Sequence, residues 1–491
     1  MDKAKIKSLH SRYNPQGEAD RYIASLSLNE SIRFFILIEP GLGYMVAPLR
    51  KSVPGARIIS LHAEKHTFEP EACETANKKP KIEKPDSEWH PETGISVQDF
   101  LETVIPDLPA SEIRLLEWRP AMSVYGENYR ALIAETVEFI KRADANLRTL
   151  KTFGRLWFRN FFKNLDIIKT VLYPTPLSAP LLVTGAGPAL EEVIPLVRLD
   201  CEKGKLCTLA ASSSVAALEA GNLKPDMVIS TDGSAWAKLH LYEMFRTSVP
   251  CPLVAALTAA LPSQCETTPV LLLSDGNLWQ TLVLKELKIP FIALPQRGTV
   301  AASALDLAFA LTKGEIFIAG MDLENNDIPS HARPYSLDRI MEEKSARTNP
   351  VYSQAYKRAS LIKEGGSYGI YASWFKKQLA SYPKRLHPLG KNSPVFGPPE
   401  TAGNMPWLAN TGEKSSIKKI NFTSHTLKPG KTYSKDALAV LEKAIKEPTH
   451  KKALQRELVP LLLPGKKEVS LDELAAAIRS AAGIRTARKH G

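Results

Sequence analysis

The sequence predicts an α/β protein built on a mostly parallel sheet, and three observations predict it. Residues 181–190 (LLVTGAGPAL) read as a strand, a tight glycine turn and a helix start. Short apolar runs and helical patterns then alternate as far as residue 324, which implies parallel strands with helices on both faces. A shorter alternation of the same kind stands between Ile32 and Glu64.

Composition bounds the rest. At 491 residues the chain is too long for one core, so two or three domains are expected. With 44% hydrophobic and 24% charged residues it is ordinary for a soluble globular protein. The five cysteines (Cys73, Cys201, Cys207, Cys251 and Cys265) show no CxxC or zinc-type spacing and read as reduced thiols of a cytoplasmic protein. No apolar run is long enough to span a membrane, and the N-terminus lacks the apolar core of a signal peptide. Nothing specifies an oligomeric state. The net charge is +12, and residues 411–491 hold 17 Lys/Arg against 8 Asp/Glu. No aromatic-interleaved basic motif, zinc finger or helix-turn-helix accompanies that charge. It reads as a solvated basic region attractive to acidic partners, with no specific nucleic-acid site.

The elements justify five regions. Residues 1–120 form a smaller N-terminal α/β domain. A helix-like stretch at 17–26 precedes the strand IRFFILI (32–38), the turn EPGLGY (39–44), a helix to Lys51 and the strand ARIISL (56–61). Glu64 follows that strand, where an acidic side chain meets a ribose in dinucleotide folds. With one GxG and Pro40 inside the turn, a structural Rossmann-like half is expected there. KKPKIEKPD (78–86) is a charged loop. Residues 121–178 form a helical connector, without glycine between Gly126 and Gly154 and with an amphipathic stripe at Leu132, Ile133, Thr136, Val137 and Ile140. Its aromatic cluster (Trp157, Phe158, Phe161, Phe162) reads as packing, and Asn160 and Asn164 as hydrogen-bonding groups for a neighbouring segment.

Residues 179–335 form the central domain. Strands are expected at 181–184, 206–211, 225–232, 252–256, 270–273, 291–294 and 315–319, with helices at 189–199, 215–220 and 299–311. A loop-rich lid (336–410) contains a helix at 370–381 and a proline-rich run, 383–406. A basic helical C-terminal region (411–491) has Ser434 and Ser470 as candidate N-caps.

Ligands of parallel sheets sit beyond the carboxyl ends of the strands. That rule gathers Gly185, Gly187 and Pro188, Asp232 and Gly233, Ser274 and Asp275, Arg297, Gly298 and Thr299, and Gly320 to Asp322 on one edge. The glycine turn supplies backbone donors, and Gly298 and Thr299 open a helix whose N-terminus attracts anions. Two such sites suit a nucleotide or a nucleotide-activated sugar. Asp232 and Asp322 end strands and can hold a hydroxyl or a metal; each can equally be a turn-forming aspartate. His331, in the polar loop beyond Asp322, can exchange protons near neutral pH. No Walker A, GxSxG or HExxH motif is present.

VTGAGPALEEVIPLV, LAASSSVAALEAGNLKPDMVISTDG, RGTVAASALDLAFAL and IFIAGMDLENNDIPSHA occur in that order between about residues 180 and 335. They resemble the motility-associated factor (Maf) glycosyltransferases, whose central domain is also classed as 6-hydroxymethylpterin diphosphokinase MptE-like. NPQGEADRYI, LIEPGLGYMVAPL and LKTFGRLWFRN are similar to the N-terminal part of the same proteins. The resemblance implies a sialyltransferase-like core that transfers a nonulosonic sugar from a CMP-activated donor to serine or threonine of an acceptor protein, flagellin, with no cofactor required. Carried over, CMP falls on Gly185, Gly187, Pro188, Gly298 and Thr299. His331 is then the base, with Asp232 and Asp322 positioning donor or acceptor. The archaeal pterin enzymes instead transfer diphosphate from ATP with Mg2+, which is the second reading. Two positions depart from the pattern: Ala189 replaces the usual serine after the glycine-proline turn, and Met45 replaces the histidine often found after GLGY. The first leaves open a third reading, a non-catalytic nucleotide-binding or interaction protein that keeps the fold.

Overall fold

The computed structural model describes residues 9–11, 13–65, 83–105, 108–177, 179–246, 251–295, 297–323, 331–354, 356, 367–390, 420–466 and 468–484. Cys73, most of KKPKIEKPD, Ser330 and the proline-rich run beyond Gly390 lie outside them. The chain divides into two units, Met1–Thr152 and Phe153–Gly491.

Unit 1 is a four-stranded parallel sheet in the order β3-β2-β1-β4, from β1 (Phe34–Ile38), β2 (Arg57–Leu61), β3 (Ser87–Trp89) and β4 (Ile113–Glu117). Every residue of β1 is buried, as a strand covered on both faces must be. Around it lie α1 (Pro15–Ala24), α2 (Val46–Ser52) and α3 (Val97–Val104). The Asn14 side chain accepts the Gly17 N–H at 2.8 Å, and Ser96 accepts that of Asp99 at 3.1 Å, so both α1 and α3 start at a capped N-terminus. The helical stretch α4 (Arg119–Ile167) is interrupted at Gly126, whose φ of 49° no helix tolerates.

Unit 2 holds the larger sheet. Its strands are β5 (Thr170–Pro174), β6 (Leu181–Thr184), β7 (Cys207–Ala211), β8 (Met227–Ser230), β9 (Leu253–Ala256), β10 (Val270–Ser274), β11 (Ile292–Ala293), β12 (Ile316–Ala319), β13 (Leu386–Pro388) and β14 (Phe422–Thr426). They run β13-β12-β6-β7-β8-β9-β10-β5-β14, with β11 also on β10. All pairs are parallel except β14 on β5. The helices are α5 (Leu190–Glu202), α6 (Val215–Ala220), α7 (Ala237–Arg246), α8 (Leu278–Glu286), α9 (Val300–Leu311), α10 (Asp338–Glu343), α11 (Ser367–Ser381), α12 (Tyr433–Ala444), α13 (Pro448–Leu462) and α14 (Leu471–Ala482).

The aromatic cluster packs as expected. Phe158 and Phe161 lie 5.1 and 4.7 Å from the Trp279 ring, contacts worth about 0.5–1.5 kcal/mol each beyond their buried area. Ser470 caps α14 in a reciprocal capping box with Glu473. Ser434 does not cap. It sits inside the first turn of α12, and its N–H and hydroxyl donate to the Asp166 carboxylate, which does the capping from the end of α4. Part of the stretch expected as a lid is sheet, since β13 pairs with β12 at the edge.

Strand order reverses at β6. From there β7 to β10 run one way, and β12 and β13 lie on the other side. The turns leaving β6 and β12 are therefore neighbours, and they touch: the Gly185 N–H donates to Ala319 O at 2.8 Å and the Gly187 N–H to Gly320 O at 2.6 Å. A Cβ on Gly320 would stand 2.5 Å from Gly185 O, at a φ of +63°. Gly320→Ala should therefore cost about 2–4 kcal/mol. Gly204→Ala, at φ +67° with nothing within 4 Å, should cost only the strain, about 1–2 kcal/mol. Equal losses in urea unfolding would show that the close approach of the turns carries no weight.

Candidate functional site

The site begins at this reversal point, where open α/β sheets place their ligands. Helix α5 leaves the glycine turn without a cap from its own N-terminal side chain, Ala189. Asp322 supplies one, since its Oδ2 accepts the Ala189 N–H at 2.8 Å. The chain then passes back across the turn: the Ala332 N–H donates to Ala186 O and the Arg333 N–H to Glu191 Oε1, both at 2.8 Å. These bonds bring His331 to the same place as Gly185, Gly187, Pro188 and Asp322. The His331 ring stacks on Tyr335, with centroids 3.9 Å apart and planes 4° from parallel.

The N–H groups of Gly185, Gly187 and Ala189 are donated within the protein, to Ala319, Gly320 and Asp322. The carboxylate of Asp322 stands at the N-terminus of α5, where an anion was expected from a ligand. The glycines serve close approach instead, since a Cβ on Gly187 would lie 2.6 Å from Asp322 Oδ2.

The remaining rim divides. Helix α9 packs on β6, β7 and β8, and its N-terminal residue Thr299 makes no side-chain capping bond. Gly298 (φ +75°) precedes it and is exposed. Arg297 is turned aside, paired with Asp306 at 2.6 Å and lying over the Trp374 ring. Asp232 is exposed at the end of β8 and accepts from the N–H and hydroxyl of Ser234 at 2.8 and 2.9 Å. Gly233 is a packing glycine: a Cβ there would strike Trp157, and its carbonyl accepts from Asn160. Asn164 likewise donates to Leu257 O and Ala259 O, so both asparagines bind the loops beyond β8 and β9.

At β10 the rim is closed. Ser274 is buried, and Asp275 accepts from the Asn277 N–H at 3.0 Å and Gln280 at 2.8 Å. Glu457 of α13 accepts the Leu278 and Trp279 N–H groups and caps α8. Burial pushes both carboxyls above their ordinary range. Ser274 is thus buried and Asp275 is bonded into the start of α8, the helix that packs on the C-terminal helices.

Residues 157–327, which hold most of this rim, match the family described as 6-hydroxymethylpterin diphosphokinase MptE-like. A protein of Treponema pallidum (strain Nichols), described as uncharacterized, is 27% identical over 288 residues, 58% of this chain. The match spans 61% of that relative's length. Among solved structures, a MAf glycosyltransferase from Magnetospirillum magneticum AMB-1 aligns over 98% of this chain and 78% of its own, at 14% identity and a TM-score of 0.49.

Within residues 157–327 the sequence alone gives no sign of His240. Its Nδ1 lies 2.7 Å from Ser336 Oγ, and its ring is 5.3 Å from Tyr335. Burial lowers its pKa, against the pull of the Asp232 carboxylate. The two bonded residues are 96 positions apart, and no spacing in the sequence links them. Beside them a pocket of about 320 Å³ is lined by α6, α7 and residues 334–336, including Glu219, Glu243, Arg246 and Tyr335. Among the described residues, no helix is long and apolar enough to cross a membrane.

Unit 1 has its own glycine turn, after β1, and its chain fills it. His10 Nε2 accepts the Leu42 N–H at 3.0 Å, and a Cβ on Gly41 would lie 2.3 Å from that nitrogen. The imidazole packs on Tyr44 and Trp118. Glu39 is fully buried at φ 49° and accepts the Ala63 N–H. Glu64 lines a separate pocket of about 490 Å³ with Lys65 and Glu92. Burial lowers the His10 pKa from 6.5 to about 4. Below pH 6.5 the unfolded chain takes up a proton that the folded unit refuses, so stability present above pH 6.5 is lost as pH falls towards 4. The loss should reach about 3 kcal/mol in urea unfolding of the full chain, and His10→Gln should remove most of it. The same pH slope in both proteins would refute this role for His10.

Proposed function

We propose that the protein is a glycosyltransferase moving a nonulosonic, sialic-acid-like sugar from a CMP-activated donor to a serine or threonine hydroxyl of an acceptor protein, flagellin being the expected one. The observation that carries this reading is the 2.8 Å bond from the Ala332 N–H to Ala186 O, which sets His331 at the mouth of the sheet's reversal point. The four ordered motif blocks and the MptE-like match of residues 157–327 support it.

In this scheme the donor lies across the open rim formed by β6, β7, β8 and β12. Its phosphate meets the N-terminus of α9 at Gly298 and Thr299, where the helix start carries no side-chain cap. His331 removes the proton from the acceptor hydroxyl. The freed oxygen attacks the anomeric carbon, the bond from that carbon to the CMP phosphate breaks, and the electron pair leaves with CMP. Asp322 holds the turn in shape from its place on Ala189, and Asp232 offers an exposed carboxylate for a sugar hydroxyl. Gly185 and Gly187 let the chain segments meet.

The family description favours a second reading, ATP-dependent diphosphate transfer to a pterin with Mg2+. Asp232 and Asp322 would be its metal ligands. Among the described residues, no three His, Cys, Asp or Glu side chains gather as a cation site, and these two carboxylates already accept backbone N–H groups. Mg2+ carried in by a nucleotide needs only one or two carboxylates beside phosphate oxygens, and in this reading the exposed Asp232 would supply one.

Calorimetry on the full chain separates the readings. Binding of CMP and a CMP-nonulosonic donor is the expected result; ATP binding without CMP binding would favour the pterin enzyme, and no nucleotide binding a non-catalytic protein. His331→Ala should leave CMP affinity within about twofold and lower transfer by about 10²–10⁴-fold. Undiminished transfer would remove His331 from the reaction.

A further inference from the structure

His331 does not hold its place alone. Tyr335 stacks on it in near-parallel contact, and the His240 ring lies 5.3 Å from the same tyrosine. His240 also grips the same loop one residue further on, through Ser336 Oγ at 2.7 Å. The loop is otherwise tied by Ala332 to the glycine turn, by Arg333 to Glu191 on α5, and by the Tyr335 N–H to Asp338 at 3.1 Å. Those bonds fix the loop's backbone. From the side of α7, His240 packs on the Tyr335 ring and bonds the Ser336 hydroxyl.

We infer that His240 is a positioning residue: by bonding Ser336 and packing on Tyr335, it sets where the His331 imidazole stands on the rim. This rests on the reading of His331 as the base, and it deepens that reading by adding a residue from a different helix. The imidazole suits the task chemically. Burial beside the loop favours its neutral form, in which one ring nitrogen exchanges a hydrogen bond with a hydroxyl while the ring face stays available for an aromatic contact. A base displaced by even one ångström loses much of its rate, so a residue that only places it still controls turnover.

The test uses the full chain with 13C-labelled histidine, followed by NMR, alongside transfer kinetics. The His331 signal is identified by its loss in His331→Gln. In the wild type it should carry the ring-current shift of a stacked imidazole. His240→Ala and Ser336→Ala should move it towards the position of an unstacked histidine and lower kcat by about tenfold to a hundredfold, with KM for the donor within about twofold. His240→Asn keeps a hydrogen-bonding atom near the Nδ1 position and should restore most of both. Unchanged signals of His10 and His387 report that each unit remains folded. An unmoved His331 signal in both alanine variants overturns the inference, whatever the activity. A shifted signal in a protein that transfers no sugar from CMP donors supports the positioning role while rejecting the glycosyltransferase reading.

Discussion

The carboxylate of Asp322 accepts the Ala189 N–H across 133 positions of sequence, and most of the site depends on that bond and the two glycine contacts beside it. It satisfies a helix N-terminus whose own side chain has no acceptor, and it places a negative charge at the positive end of α5. It also ties β12 to β6 where the strand order turns back. The glycines at 185, 187 and 320 are required because the two turns approach within distances that no Cβ accommodates. Ala189 fits the same picture. It is buried, and the Gly390 backbone faces its Cβ, so the position that carries a serine in related motifs is packed here.

From this junction the carboxyl edge of the large sheet splits into an open and a closed half. The open half spans β6 to β8 with the uncapped start of α9 above it. The closed half, at β9 and β10, is sealed by two asparagines of α4 and by Glu457 of α13. In both halves helix and loop ends are satisfied by side chains distant in sequence. Where the side chain is a buried carboxylate, its ordinary charge is disfavoured, which marks the closed half as a structural contact between the sheet and the C-terminal helices. Unit 1 uses the same device in a different form, with a neutral histidine ring in place of a ligand at its glycine turn.

Much of this was legible in the residues themselves. The apolar runs at 181–184, 207–211, 227–230, 253–256, 270–274 and 316–319 form strands because β-branched and leucine-rich segments of that length bury both faces. Ser470 and Glu473 announced their helix start, since a capping box is local. The edge position of Asp232, Asp322 and Thr299 followed from strand ends alone. The roles of Asn160 and Asn164 were read correctly as bonds to a neighbouring segment, although which segment was not stated by their spacing.

What the sequence determined by itself was therefore local: which segments are strands and helices, where glycine is needed, and which polar residues stand at strand ends. The tertiary structure alone decided how those residues are used. It gave the N–H groups of the glycine turn to Gly320 and Asp322, bound Asp275 into the first turn of α8 while Glu457 of α13 capped that helix, moved the capping of α12 from Ser434 to Asp166, and joined His240 to Ser336. The physical reason is common to all four. A hydrogen-bonding group near a turn takes the best partner within reach, and that partner is set by which elements the sheet order brings alongside, information that no short window of sequence contains.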